Sequence, residues 1–481
     1  MTELSCEVLI IGSGPGGATT AALLAEAGRD VLIVEEGPDL TIDSAPSYSM
    51  AELDQKYRNG GLNTSFGRTP VTYIEGRCVG GASEINAALY HRPHEGTLED
   101  WRREYQIADF GLQALIPEFQ QIEREMSVSR RADGLSPSSQ TLIQGADKLG
   151  WKHAEIERFW KYEGAPAGQI DRGRRQSMTE TLIPRARAAG ARLVPDTRVL
   201  RLVMNGPRAV EAHAQGPDRK RVRIRFEQLV LAAGAVQTPV LLRRSGIRRN
   251  IGDALRLHPM MRVAARFDHR VNDPAFGVPV QQVEQFKPAL TLGCSHSSPP
   301  HIALWLGRQV PERQRIMAEW QNVAVFYVAV QGEGRGTVRA LPGLGEPLVR
   351  YENTDRDHRL LGEGLHHLGR LLFEAGALQI MSPVDGEAPI NTPTGLPRLL
   401  DLPHKGIAVS TIHLFSSLPM GEDRERCAVD SYGRLHSYEN VRVHDASILP
   451  TSPGVNPQGT IMAIVRRNTR QMLAGGGRLR S

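Results

Sequence analysis

The sequence predicts an α/β fold: a Rossmann-like dinucleotide-binding unit joined to a region of antiparallel strands. Three observations predict it. A glycine-rich loop near the start links a short apolar strand to an Ala/Leu-rich helix. A second apolar strand follows and ends in an acid. Beyond residue 260 the apolar runs are strand-like and lack the strand–helix alternation of a parallel sheet.

Val8-Leu9-Ile10-Ile11 is a continuous apolar run of the kind a buried parallel strand shows. Gly12-Ser13-Gly14-Pro15-Gly16-Gly17 fits G-x-G-x-x-G, with Gly12, Gly14 and Gly17 at the fixed places. Gly12 allows the tight turn, Gly14 lets backbone approach a pyrophosphate, and Gly17 lets the helix pack on the strand. The helix, Ala18 to Ala27, closes at Gly28, and its N-terminus offers N–H groups and a positive dipole end to phosphates. Val31 to Val34 is the second strand, and Glu35 at its end can accept hydrogen bonds from a ribose 2′-OH. A 2′-phosphate would be repelled there. The motif alone does not separate FAD from NAD.

A length of 481 residues suggests two domains. With 40% hydrophobic and 23% charged residues, the composition is that of an ordinary globular protein. The net charge of +5 is spread in small groups at Arg102-Arg103, Arg172 to Arg175 and Arg219 to Arg225. Arg221, Arg223 and Arg225 alternate with Val222 and Ile224, which reads as the wet face of a strand. No basic patch is interleaved with aromatics, so nucleic acid is not an expected partner. Cys6, Cys78, Cys294 and Cys427 have neither disulfide-framework nor zinc spacing and read as reduced thiols, and no metal site is expected. No secretion signal or membrane span is read, so a cytoplasmic location is expected.

Polar loop follows Glu36, and the usual alternation of a nicotinamide-binding domain is lost. A second glycine passage runs from Gly76 through Gly80-Gly81 to Asn86, leading into a helix-like segment. Trp101 to Glu125 reads as helical, with Pro117 as an interruption or a start. Residues 134–175 read as loop-rich. Arg192 to Met204 and Arg221 to Ala233 read as strands joined by a polar turn. Met260 to Val271, Ala303 to Leu306, Val323 to Val330 and Thr337 to Ala340 read as strands, and Arg356 to Gly376 as an amphipathic helix. Near the end, Ile412-His413-Leu414-Phe415 precedes a Pro419-Met420-Gly421 turn, and Val441 to Val443 leads to Asp445-Ala446-Ser447. Asn456 reads as an N-cap and Pro457 as the first residue of a helix over Gln458 to Leu473.

Four separated motifs carry a resemblance to the glucose–methanol–choline (GMC) oxidoreductases. They are Gly12-x-Gly14-x-x-Gly17 with Glu35, Gly80-Gly81 to Asn86, Gly234-Ala235-Val236-Gln237-Thr238-Pro239 to Ile247, and His413…Asp445-Ala446-Ser447…Asn456-Pro457. The resemblance implies FAD, held by an FAD-binding domain (1–98, 186–265 and 411–481) interleaved with an α+β substrate domain on an antiparallel sheet (99–185 and 266–410). It implies cofactor contacts at Gly12, Gly14, Gly17, Glu35, Gly80, Gly81, Asn86, Val199, Gly234, Asp445, Ala446 and Pro457. It also implies His413 as the base that takes the hydroxyl proton of an alcohol, Asn456 as the residue that orients the oxygen, and flavin N5 as the hydride acceptor. A neutral imidazole suits the base role, and the rate would rise with pH through the histidine range. Some relatives link the flavin to a histidine one place before the loop asparagine. Ile85 stands there and cannot form that bond, so non-covalent FAD is expected. His258 and His444 read as structural.

The implied activity is oxidation of an alcohol to a carbonyl, with molecular oxygen or another acceptor taking the electrons. Compact length and Gln176-Ser177-Met178-Thr179-Glu180-Thr181 resemble bacterial members acting on primary hydroxyls of sugar-like or aminoglycoside-type molecules. Two alternatives stand beside that reading: an apolar, aromatic or sterol alcohol as substrate, or a non-catalytic flavin-binding protein.

Overall fold

The computed structural model describes residues 1–130, 134–162, 173–273, 278–306 and 313–475. The expected loop 134–175 and the basic group at 172–175 lie partly outside them. Two large sheets carry the described chain. The first runs in the order Arg198–Asn205, Arg208–Gln215, Arg221–Leu231, Thr2–Ile11, Val31–Val34, Arg192–Val194, with Val441–Val443 beside Leu229–Leu231. Its centre is parallel: Thr2–Ile11 lies between Arg221–Leu231 and Val31–Val34. Val8, Leu9 and Ile10 are fully buried, which is why that run is apolar on both faces. Arg221, Arg223 and Arg225 do alternate with buried Val222 and Ile224.

Several expectations are corrected. Arg192 to Met204 is two strands, Arg192–Val194 and Arg198–Asn205, at opposite edges of this sheet. Pro195 and a left-handed Asp196 (φ 50) turn the chain between them. The polar link to residue 221 contains a further strand, Arg208–Gln215, antiparallel to both neighbours. Trp101 to Glu125 falls on two helices, Glu95–Glu104 and Leu112–Glu125. The break comes where Gln106, Asp109 and Gly111 take positive φ, while Pro117 sits inside the second helix. Ala303 to Leu306 is not a strand: it is the end of helix Pro299–Trp305 with its C-cap Leu306, and prolines at the first helical positions preset the φ of the helix start.

The second sheet has nine strands, with Val71–Tyr73, Val409–Thr411, Met260–Arg266, Val323–Val330, Leu290–Cys294 and Gln281–Val283 in successive pairs. Met260–Arg266, all but its last residue within the interval 186–265, is a central strand of this sheet. One face of it carries Met261, Val263, Phe326, Val328 and Leu292, which form a core with Leu361, Leu365 and Leu368 of helix Asp355–Glu374. That helix opens with a capping box between Thr354 and Asp357. All four cysteines are buried and free. Among the described residues no helix is long and apolar enough to cross a membrane.

Candidate active site

One cleft runs from the first glycine loop to the start of the C-terminal helix Gln458–Gly475. Gly12, Gly14, Glu35, Gly81, Asn86 and Val199 line it, as do Gly234, Asp445, Ala446, His413, Asn456 and Pro457. Gly17 and Gly80 stand behind the lining, and each has a local reason. A Cβ on Gly17 would sit 2.0 Å from the Gly12 carbonyl oxygen, so helix and strand meet only through glycine. Gly80, at φ 90, donates its N–H to Ser13 Oγ at 3.1 Å.

The first loop is built for close approach. Gly12 has φ 100, and a Cβ there would stand 2.3 Å from the Ala232 oxygen. Around Gly14 the nearest atom to such a Cβ is Gly81 Cα at 3.9 Å, so its open side faces the cleft. Gly81 backs on Gly14, with only 2.9 Å between its hypothetical Cβ and Gly14 Cα. Two glycine passages far apart in sequence thus form one backbone floor. Gly16, outside the three fixed places, is tighter still: its Cβ would lie 1.8 Å from the His444 oxygen. The motif's spacing gave no sign of this, because the obstacle is backbone just past strand Val441–Val443, more than four hundred residues on.

Glu35 is buried and accepts hydrogen bonds from Ser13 N–H (3.0 Å), Ser13 Oγ (2.7 Å) and Gly37 N–H (2.9 Å). Burial pushes its carboxyl pKa up, and those bonds oppose the shift. Beside it Glu36 is held by Arg58, with Nη2–Oε2 2.6 Å and Nη1–Oε1 3.2 Å. Burial would raise Glu36, but Arg58, Arg198 and Arg77 outweigh it and hold the carboxyl low. Asp445 accepts from Gly234 N–H (2.9 Å), Thr238 Oγ1 (2.6 Å), Ser447 N–H (2.9 Å) and Ser447 Oγ, clamping the start of helix Gly234–Arg244 to the strand end. Asn86 donates to Gln458 Oε1 (2.7 Å) and accepts from Ala88 N–H (2.8 Å), which fixes a left-handed Ala88 (φ 56). His444 points away from the cleft, onto Thr20 Oγ1 at 2.8 Å.

At the far end of the cleft stands His413. Its N–H is held by Thr411 Oγ1 at 3.0 Å, and Thr411 donates back to its carbonyl at 3.1 Å. Nε2 faces Asn456 Nδ2 at 3.4 Å, and Nδ1 faces His258 Nδ1 at 3.0 Å. His258, read as structural from the sequence, is therefore part of the pair's surroundings. Its position beside Pro259 carries no sign of this, since the contact spans 155 residues. Gly454 N–H stands 3.2 Å from His258 Nε2 and 3.4 Å from Ser452 Oγ. Burial, and then the charge of Arg262, push His413 down to about 3; burial and then His413 lower His258. Both rings are neutral at pH 7.

Asn456 is not the expected cap. The helix begins at Gln458, and Ile461 N–H bonds the Pro457 carbonyl. Among the described residues no hydrogen bond joins the Asn456 side chain to the first turn. It faces His413 instead and lies against His91.

The donor set fits FAD. Gly14 leaves open backbone, the first N–H groups of helix Pro15–Glu26 have no partner within the helix, and Glu35 offers a carboxylate beside them. Comparisons with known proteins agree. Models of the GMC oxidoreductase family match residues 53–260 and 333–464, and a model of NAD(P)-binding Rossmann-like domains matches residues 10–62. An uncharacterized GMC-type oxidoreductase of Sinorhizobium fredii is 37% identical over 100% of this chain and 97% of its own. A long-chain-alcohol oxidase of Arabidopsis thaliana is 26% identical over 96% of this chain and 67% of its own. The crystal structure of pyridoxine 4-oxidase from Mesorbium loti shares the fold, with a TM-score of 0.74 at 20% identity over 98% of this chain and 99% of that one. The chain belongs to the GMC oxidoreductase family and is an FAD-dependent enzyme acting on CH–OH donors.

Proposed function

We propose that this enzyme oxidises a polar, sugar-like primary alcohol to the aldehyde, with His413 as proton acceptor and Asn456 as the group that holds the alcohol oxygen. The observation that carries the reading is the pair itself. His413 Nε2 and Asn456 Nδ2 stand 3.4 Å apart at the end of the cleft, both on its lining. FAD, bound along the cleft, supplies the acceptor for the hydride. In this reading Glu35 holds the ribose, Gly14 and the helix behind it hold the pyrophosphate, and Ala446 and Pro457 border the ring system.

The hydroxyl proton goes to His413 Nε2, which must present a lone pair. The two Nδ1 atoms of His413 and His258 face each other, so one proton lies between them. When it belongs to His258, Gly454 N–H bonds His258 Nε2, and His413 Nε2 carries hydrogen. When it belongs to His413, Gly454 N–H turns to Ser452 Oγ, and Nε2 is free to accept. Base catalysis uses the second arrangement. Because His413 is held neutral by burial, it needs no prior deprotonation. Asn456 can donate to the alcohol oxygen as negative charge develops there.

A second reading has an observation of its own: the Arabidopsis relative is named for long-chain alcohols. Against it stands the polarity behind the pair: His91 lies against Asn456 and meets Gln282, which donates to Tyr327, the strand partner of Arg262. A polyamine of the aminoglycoside type is disfavoured by the Arg262 charge. Turnover in air or with an artificial acceptor tests the reading, with the product trapped as a hydrazone. Aldehyde from polar primary alcohols supports it, and aldehyde from long-chain alcohols alone would replace it with the second reading.

A further inference from the structure

Met260–Arg266 reads Met-Met-Arg-Val-Ala-Ala-Arg, and it is a central strand. Met261 and Val263 face the core under helix Asp355–Glu374. Arg262 faces the other side. Tyr327 is its direct partner on the next strand, Gly293 is the partner of Tyr327, and Gln282 that of Gly293. Direct partners share a face, so these four form one row across the sheet. Gly293 makes the row possible. A Cβ there would stand 2.6 Å from the Tyr327 ring, which leans across that strand to receive Gln282 Nε2 at 2.7 Å.

Both ends of the row return to the reacting pair. At one end Arg262 Nη1 donates to Ser410 Oγ at 2.7 Å, three residues ahead of His413, and Nε reaches Ser295 Oγ at 3.4 Å. At the other end Gln282 Oε1 meets His91 Nε2 at 3.2 Å, and His91 lies against Asn456. The row is therefore tied to the pair at both ends. Arg262, His91, His413 and Asn456 are each half-buried, and His413 and Asn456 line the cleft. The charge of Arg262 reaches His413 and also His301, helping to lower the pKa of both.

We infer that Arg262 receives an anionic oxygen group, a carboxylate or phosphate, carried by the alcohol that this site oxidises. This rests on the alcohol-oxidation reading above. A guanidinium stays charged at neutral pH and presents a planar fork that matches such groups. Ser410 and Ser295 hold the fork in place, so little side-chain freedom remains to be lost on binding.

The test uses the FAD-loaded protein. Butyrate and butyl phosphate carry the anion and no hydroxyl to oxidise; butanol and butylammonium are their neutral and cationic counterparts. The expected result is saturable perturbation of the flavin absorption by one or both anions and far weaker effects of the other two. Arg262→Gln should weaken the anion by about 10- to 100-fold, the loss of a charged hydrogen bond, and Arg262→Lys should restore part of it. In a second arm, 4-hydroxybutyrate, 4-hydroxybutyl phosphate, 1,4-butanediol and 4-amino-1-butanol are compared as reductants of the flavin under anaerobic conditions. The anionic alcohols should lead, and Arg262→Gln should bring the anionic-to-neutral rate ratio towards one. Equal binding of the anionic, neutral and cationic probes would overturn the inference, and so would an unchanged ratio in Arg262→Gln. Anion binding without reduction by any alcohol would overturn the alcohol-oxidation reading and leave the anion site standing.

Discussion

The two ends of the cleft are built in different ways. At the nucleotide end the main chain does the work. Gly12, Gly14, Gly16, Gly17 and Gly81 bring backbone against backbone, and the side chains that matter, Glu35 and Asp445, are buried and held in place by N–H and O–H donors, with Glu35 Oε1 taking only one of them. At the reacting end side chains do the work, and they come from segments far apart in the chain: His258, Arg262, Gln282, Tyr327, His413 and Asn456. The difference shows in what each end tolerates. A backbone cradle fails when one atom is added. A side-chain wall can keep its shape while its chemistry changes, which is where members of one family can part in substrate.

If the comparison holds, changes at the reacting end should cost rate and leave FAD in place. His413→Ala should slow alcohol-driven flavin reduction by about 10²–10⁴-fold, the usual worth of a general base. FAD content and reduction by dithionite should be unaltered. An unaltered alcohol rate would move the base elsewhere, with His258 next in line. At the nucleotide end the converse is expected. Glu35→Ala should cost about 1.5–3 kcal/mol of FAD affinity, the value of a charge-assisted hydrogen bond, read by titrating apoprotein with FAD. Equal affinity would show that Glu35 serves only to hold Ser13 and Gly37.

His258→Phe sharpens the account of the pair. It keeps a ring beside Phe415 and removes the nitrogen facing His413. A loss of about 10–100-fold in flavin reduction is expected, as when the partner that orients a working histidine is removed. Retention of the full rate would make His258 mere packing. The smallest expected effect is a flat line. Only neutral imidazole accepts a proton, and His413 is pushed down to about 3, so it is already neutral well below pH 5. Flavin reduction should then be independent of pH from about 5 to 8, in place of the rise through the histidine range that the sequence alone suggests. A rise with a midpoint near 6.5 would mean that burial and Arg262 do not act on His413 as described.

What the sequence disclosed follows the same division. The glycine loop and Glu35 were legible because strand, turn, helix and acid are neighbours in the chain. Ser13, with both its partners outside the loop, was not. His413 and Asn456 were legible only through resemblance to a family pattern. Asn456 was misread as a cap because Asn before Pro satisfies local rules equally well, and the pull of His413 lies 43 residues away. The split of Arg192 to Met204 was hidden for a similar reason. Both halves are strands, and nothing local says that they belong to opposite edges. The Arg262 row was invisible because its members share a face only after four strands have come into register.

Anaerobic mixing of the FAD-loaded protein with a panel of polar primary alcohols, watching the flavin absorption, bears most directly on the central claim. The account predicts that at least one of them bleaches the flavin and yields one aldehyde per flavin reduced. Flavin that stays oxidised under every alcohol, yet bleaches at once with dithionite, would contradict it.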